Sequence, residues 1–67
     1  MKKKGIVKEY NGQNGIIESD NKKYIVKNDD VITKDIKVND KVEFYESKMY
    51  FGNEVFLVAR KVVKESI

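Results

Sequence analysis

The chain has 67 residues, with 14 Lys and Arg against 11 Asp and Glu and a net charge of +3. This length predicts a single domain over residues 1–67, which buries only about 60% of the surface of its unfolded form. Because Cys and His are absent, disulfides, thiolate metal sites and imidazole catalysis are excluded, and we expect no enzyme, no cofactor and no metal. No apolar run has the length of a membrane span or signal peptide, so we expect a cytosolic protein.

Three short strands are predicted in the first half of the chain, over residues 4–10, 15–19 and 23–27. Each combines β-branched or aromatic residues with charged neighbours. The first turn contains two Asn-Gly pairs within residues 11–15, the strongest hairpin signal in the sequence. Residues 20–22, Asp-Asn-Lys, predict the second turn.

A longer connection follows over residues 28–39. Its first residues, Asn28-Asp29-Asp30, are expected to cap a single helical turn through a side-chain oxygen. The apolar residues expected to anchor this connection to the core are Val31, Ile32, Ile36 and Val38.

Two further strands are predicted in the second half, the fourth starting at Lys41 and the fifth over residues 54–63. Gly52-Asn53 favours a tight hairpin that extends the fourth strand to Phe51, because an open loop over residues 47–53 would leave apolar side chains in water. Residues 55–58 are apolar at every position, which suggests a strand covered on both faces or strongly coiled.

This order of elements predicts an all-β fold, a five-stranded antiparallel barrel of the OB type. An SH3-like barrel is the competing architecture, and the 12 residues of the 28–39 connection favour the OB barrel. The residues predicted to be mainly buried are Val7, Ile17, Val26, Val31, Val42, Phe44, Leu57 and Val58.

Several segments resemble bacterial cold-shock proteins, a family of OB-fold domains that bind single-stranded nucleic acid. Residues 4–11, Lys-Gly-Ile-Val-Lys-Glu-Tyr-Asn, are similar to that family's opening K-G-x-V-K-W-F-N, and residues 40–44 resemble its fourth strand. Residues 23–27 lie where the family has D-V-F-V-H, and residues 59–62 are similar to its last strand. The resemblance implies the cold-shock fold and a nucleic-acid-binding function.

Most of the aromatic positions on which that family stacks bases carry other residues here. Tyr10 keeps a ring, whereas the second strand is shortened and has lost both aromatics. The other replaced positions are Glu9, Ile25, Lys27 and Asn28. Stacking contributes about 1–3 kcal/mol per base, so we expect weak, mainly electrostatic and salt-sensitive binding to single-stranded RNA or DNA.

Charge is distributed unevenly along the sequence. Residues 1–27 hold seven Lys and three acids, a net +4, whereas residues 28–46 hold three Lys and six acids, a net −3. Residues 47–67 carry a net +2. The basic segments favour a polyanionic partner, and the acidic segment favours the alternative, a degenerate OB domain used for protein–protein interaction without nucleic-acid binding.

Candidate phosphate contacts come from the basic segments and are Lys4, Lys8, Lys23, Lys27 and Arg60. A solvated sheet face is the alternative role for these lysines. Tyr10 is a candidate for base stacking or a ring at the rim of the core, and Tyr50 and Phe51 are further stacking candidates on the second hairpin. Asp29, Asp30 and Asp35 lack the spacing of a calcium loop, so we expect capping and solvation there.

Overall fold

Five β-strands form the protein in a computed structural model, which describes residues 2–65. The strands are β1 Lys2–Tyr10, β2 Asn14–Ser19, β3 Lys22–Lys27, β4 Lys41–Phe51 and β5 Glu54–Lys64, and one 3₁₀ turn spans Asn28–Asp30. They pair in the order β1-β2-β3-β5-β4, and β4 pairs with β1 to close a barrel. The predicted all-β, five-stranded barrel is confirmed. No helix in the described range is long and apolar enough to cross a membrane.

The expectation of purely antiparallel pairing is wrong. β3 and β5 are parallel, with Ile25 opposite Val58, and Val31 forms a parallel bridge with Val62. The reason is geometric, because an odd number of strands cannot alternate in direction all the way round a closed ring. The parallel pair joins the β1–β3 meander to the β4–β5 hairpin.

The turns follow the chemistry of their residues. In the β1–β2 loop, the side-chain oxygen of Asn11 accepts hydrogen bonds from the backbone N–H groups of Gln13 and Asn14, at 2.9 and 2.8 Å. Asp20 and Asn21 both have positive φ, as a two-residue type I′ hairpin requires. The tight second hairpin is also confirmed, since Phe51 pairs with Glu54 across Gly52-Asn53.

The single helical turn is present, but its predicted capping is wrong. No side chain caps the turn at Asn28–Asp30. The Asn28 amide instead donates to the Tyr10 hydroxyl at 3.2 Å and to the Gly12 carbonyl at 3.0 Å. The Asn28 side chain therefore ties the turn to the β1–β2 loop.

The core contains most of the predicted residues. Six are buried as expected, Val7, Ile17, Val26, Val31, Val42 and Phe44, and they pack with Tyr24, Ile36, Ala59 and Val62. Leu57 is partly buried and packs against this core as expected, whereas Val58 lies on the outer face opposite Ile25, so its placement in the core is wrong. Because residues 55–58 are all apolar, their sequence carries no period-2 phase to show which side chains point inward.

The 28–39 connection is anchored by two of its four apolar residues. Val31 and Ile36 are buried, whereas Ile32 and Val38 are exposed, contrary to prediction. The proposed cover over both faces of residues 55–58 is also absent for Val55, which is exposed. The tight hairpin leaves Met49, Tyr50 and Phe51 exposed as well, so it forms without burying the residues that favoured it.

Candidate nucleic-acid interface

An apolar row crosses the outer face of the sheet, the face directed away from the core. Residues paired in register share a face. Ile16 lies opposite Ile25, and Ile25 lies opposite Val58, so the apolar row crosses β2, β3 and β5 and ends beside Ser47 on β4. Ile16, Ile25 and Val58 are half-buried, which leaves part of each side chain available for contact.

Two cations lie at one end of this row. Lys27 follows Ile25 by two residues on β3, and Arg60 follows Val58 by two residues on β5. Because β3 and β5 run parallel, the same step along each strand brings Lys27 and Arg60 to neighbouring positions. Tyr45 lies opposite Arg60 on β4 and is exposed.

A groove of about 260 Å³ lies at this end of the row. Its apolar lining comes from Ile25, Met49 and Val58, and its charged or polar lining comes from Lys27, Asp30, Ser47, Lys48 and Arg60. The groove therefore combines an apolar floor with positive charge from Lys27 and Arg60.

The Arg60 side chain is held in place by one carboxylate. Its Nε–H donates to Oδ1 of Asp30 at 2.8 Å, while the side chain stays about half exposed. This bond uses one of the five N–H donors of a guanidinium, so four remain to meet a phosphate. Asp30 therefore orients Arg60, although its negative charge also weakens the local attraction for a polyanion.

Lys4 and Lys8 lie outside this groove and beside carboxylates. The Lys4 ammonium is 4.0 Å from Glu43 and 3.8 Å from Glu65, and that of Lys8 is 3.6 Å from Glu18. Lys23 is exposed opposite Glu18 on the outer face. The predicted basic face is therefore divided, because the sheet register places acids between its lysines.

The three candidate stacking residues differ in how much ring they present. Tyr10 is half-buried, and its hydroxyl accepts from Asn28 and donates to the Gly12 carbonyl at 3.4 Å, which gives it a structural role in the loop. Phe51 is 74% exposed and follows Met49 on the outer face, whereas Tyr50 is 70% exposed on the opposite face. Phe51 is thus the stacking candidate on the same face as the groove.

Within residues 2–65, one ionisable side chain is fully buried. Tyr24 packs against Phe44 with ring centroids 4.9 Å apart, and its hydroxyl donates to Oε2 of Glu46 at 3.4 Å. Burial, followed by the nearby negative charge of Glu46, raises the pKa of Tyr24 above its ordinary value. Lys3 lies 3.9 Å from Glu46 and opposes this shift. This cluster has a structural role in the barrel.

The sequence did not single out Lys48, Met49 and Val58 as neighbours of Lys27. These residues meet through the parallel β3–β5 pairing and the β4–β5 register, which join distant parts of the chain. No short-range pattern could have found this contact, although an odd number of strands in a closed barrel requires at least one parallel pair. No protein-family model, curated protein or solved structure shows a significant match to this chain.

Proposed function

We propose that this chain is an OB-type domain, similar to cold-shock proteins, that binds single-stranded RNA or DNA weakly and mainly through electrostatics. The closed strand order β1-β2-β3-β5-β4, with its long connection between β3 and β4, supports the OB type. The resemblance of residues 4–11 and 40–44 to the cold-shock family supports the ligand class.

The observation that carries the proposal is the pair of neighbouring cations beside the apolar row. In this mechanism Lys27 and Arg60, which both line the groove, contact successive phosphates. Ile25 and Val58 contact sugars or base faces, and Phe51 stacks on a base at the hairpin tip. Phosphate contacts position a strand without reading its sequence, so base preference is slight.

Affinity is weak because few aromatic rings face the groove and because Asp30 lies beside Arg60. Most of the driving force then comes from displaced counterions, and binding weakens steeply with salt. Lys4 and Lys8 contribute less than Lys27, since each must leave a carboxylate to meet a phosphate.

The experiment is a titration of oligo-dT and oligo-U at several salt concentrations, followed by amide chemical shifts. We expect shifts on β3, β4 and β5 around the groove. The double variant Lys27→Glu with Arg60→Gln should abolish detectable binding, whereas the charge-matched pair Lys4→Glu with Lys8→Gln should weaken it less. In a plot of the logarithm of the binding constant against the logarithm of the salt concentration, each lost phosphate contact should make the slope shallower by about 0.7. If both double variants lose the same amount of affinity, the interface lies on β1–β3 instead. If no amide shifts change even at low salt, the proposed function is refuted.

The alternative function, a protein-interaction module, is favoured by a different observation. Four of the exposed large apolar side chains, Met49, Tyr50, Phe51 and Val55, are concentrated on one hairpin. Met49 and Phe51 lie on one face of the hairpin and Tyr50 and Val55 on the other, and clustered apolar exposure is typical of interaction sites. Retained association of the chain with a protein after loss of nucleic-acid binding would support this function.

A further inference from the structure

The β4–β5 hairpin extends beyond the closed barrel with an unpaired edge. Within residues 2–65, β1 pairs with β4 only as far as Lys2 opposite Tyr45, so residues 47–51 of β4 pair with β5 alone. The two-residue turn makes Phe51 and Glu54 exchange both of their hydrogen bonds, and the pattern alternates from there. The N–H and C=O groups of Lys48 and Tyr50 therefore point away from β5, and a free edge of this kind can accept another strand.

The side chains on this edge are unusually apolar for an exposed strand. Tyr50 and Phe51 are largely exposed, Met49 is exposed beside them, and Lys48 is the one charge within residues 47–51. Natural proteins protect free edges with charge, Pro or bulges. A single Lys gives this edge little protection against pairing with another strand.

We propose that this edge pairs antiparallel with the same edge of a second copy of the chain, about a two-fold axis perpendicular to the sheet at Met49. Such an axis places Lys48 of each copy opposite Tyr50 of the other, on one face, and Ser47 opposite Phe51 on the other face. An ammonium above an aromatic ring is an attractive pair. The register centred on Lys48 would place two ammonium groups opposite each other, and the one centred on Tyr50 would place Lys48 opposite Gly52, so among these three registers the Met49 register alone pairs each Lys48 with an aromatic ring.

The area available makes this a weak dimer. The partly exposed apolar side chains of the edge offer about 400 Å² per copy, roughly half of the 800 Å² per partner that stable complexes bury. We therefore expect a dissociation constant on the order of 100 μM. The proposal depends on the hairpin alone and stands whether or not the chain binds nucleic acid.

Sedimentation equilibrium of the full chain, between about 10 μM and 1 mM to bracket this constant, tests the proposal. The weight-average mass should rise from 7.8 kDa toward twice that value. Tyr50→Lys places like charges opposite each other and should weaken association at least tenfold. The double variant Lys48→Glu with Tyr50→Lys restores an attractive pair and should restore association. Ile32→Lys, an exposed apolar site outside the hairpin, is the matched control and should associate like the wild type.

Three results would overturn the proposal: a monomeric wild type at the highest concentration, a Tyr50→Lys variant that associates normally, or a double variant that stays monomeric. Amide spectra show whether each variant is folded. If Tyr50→Lys does not fold, Tyr50→Glu takes its place, because it sets a carboxylate opposite Lys48 and should tighten association. Weaker association of a folded Tyr50→Glu would equally contradict the register. Amide exchange at Lys48 and Tyr50 should slow as concentration rises.

Discussion

Strand β4 passes through two regions of the molecule that differ in what surrounds them. Residues 41–45 pair with β1 on one side and with β5 on the other, and there Val42 and Phe44 are fully buried. Residues 47–51 pair with β5 alone, and Tyr50 and Phe51 remain exposed. Both segments contain two aromatic residues, and both form a strand. Whether the side chains are buried depends on the presence of a second neighbouring strand.

Two phenylalanines on this strand give the largest expected contrast. Phe44→Ala empties a buried site and should cost about 3–5 kcal/mol of unfolding free energy, whereas Phe51→Ala should cost less than about 0.5 kcal/mol. Urea unfolding of both variants measures the difference. Because a small domain has little stability to lose, Val26→Ala, expected to cost about 1–3 kcal/mol, keeps the comparison measurable if Phe44→Ala is unfolded. Similar costs at positions 44 and 51 would show that the hairpin packs on another surface.

Two glycines, one beside each of these segments, give a smaller expected difference in unfolding free energy. A Cβ at Gly5 in β1 would lie 2.6 Å from the backbone oxygen of Glu18 and 2.8 Å from Cγ2 of Ile17, so Gly5→Ala should cost about 1–3 kcal/mol through overpacking. Gly52 at the hairpin tip has open space around it but a φ of +63°, so Gly52→Ala should cost about 1 kcal/mol through backbone strain. Thermal unfolding ranks the two, and a larger cost at Gly52 would contradict the ranking.

The smallest expected effect is a difference between two tyrosines in the pH dependence of the unfolding free energy. The pKa of buried Tyr24 is raised in the folded state, so the unfolded chain loses that proton first as pH rises. The free energy of unfolding should therefore be unaffected below about pH 10 and should fall between there and the raised folded pKa. Tyr24→Phe should remove this part of the decline in denaturant titrations, whereas Tyr50→Phe on the hairpin should follow the wild-type curve. If the unfolding free energy of Tyr24→Phe falls with pH as in the wild type, the fall comes from other titrating groups.

Local sequence patterns predicted the strands, the tight β4–β5 hairpin and the barrel, because turn residues and alternation act over a few positions. They failed where the answer depends on distant partners. Ile32 and Val38 are exposed although Val31 and Ile36, in the same connection, are buried. Residues 55–58 are all apolar, so their sequence does not show which side chains point inward. Val58 was therefore predicted in the core, although its pairing with Ile25 puts it on the outer face.

The candidate site was predictable in its residue types and not in its arrangement. Lys27 and Arg60 come together through a parallel pairing between residues far apart in the chain. Lys4 and Lys8 both come from the first basic strand. The structure places Lys4 beside Glu43 and Lys8 beside Glu18, on neighbouring strands. Strand register therefore decides which charges remain available to a ligand.

The parallel contact between β3 and β5 also governs how the barrel opens. Ile25 opposite Val58 is its one registered strand pair in the described range, extended by the hydrogen bond of 2.7 Å from the Ile32 N–H to the Val62 carbonyl. A short seam between distant segments closes late in folding and separates early in local fluctuations. If a nucleic-acid strand binds in the groove as proposed, it spans this seam, and its binding should slow amide exchange along both β3 and β5 by keeping the barrel closed.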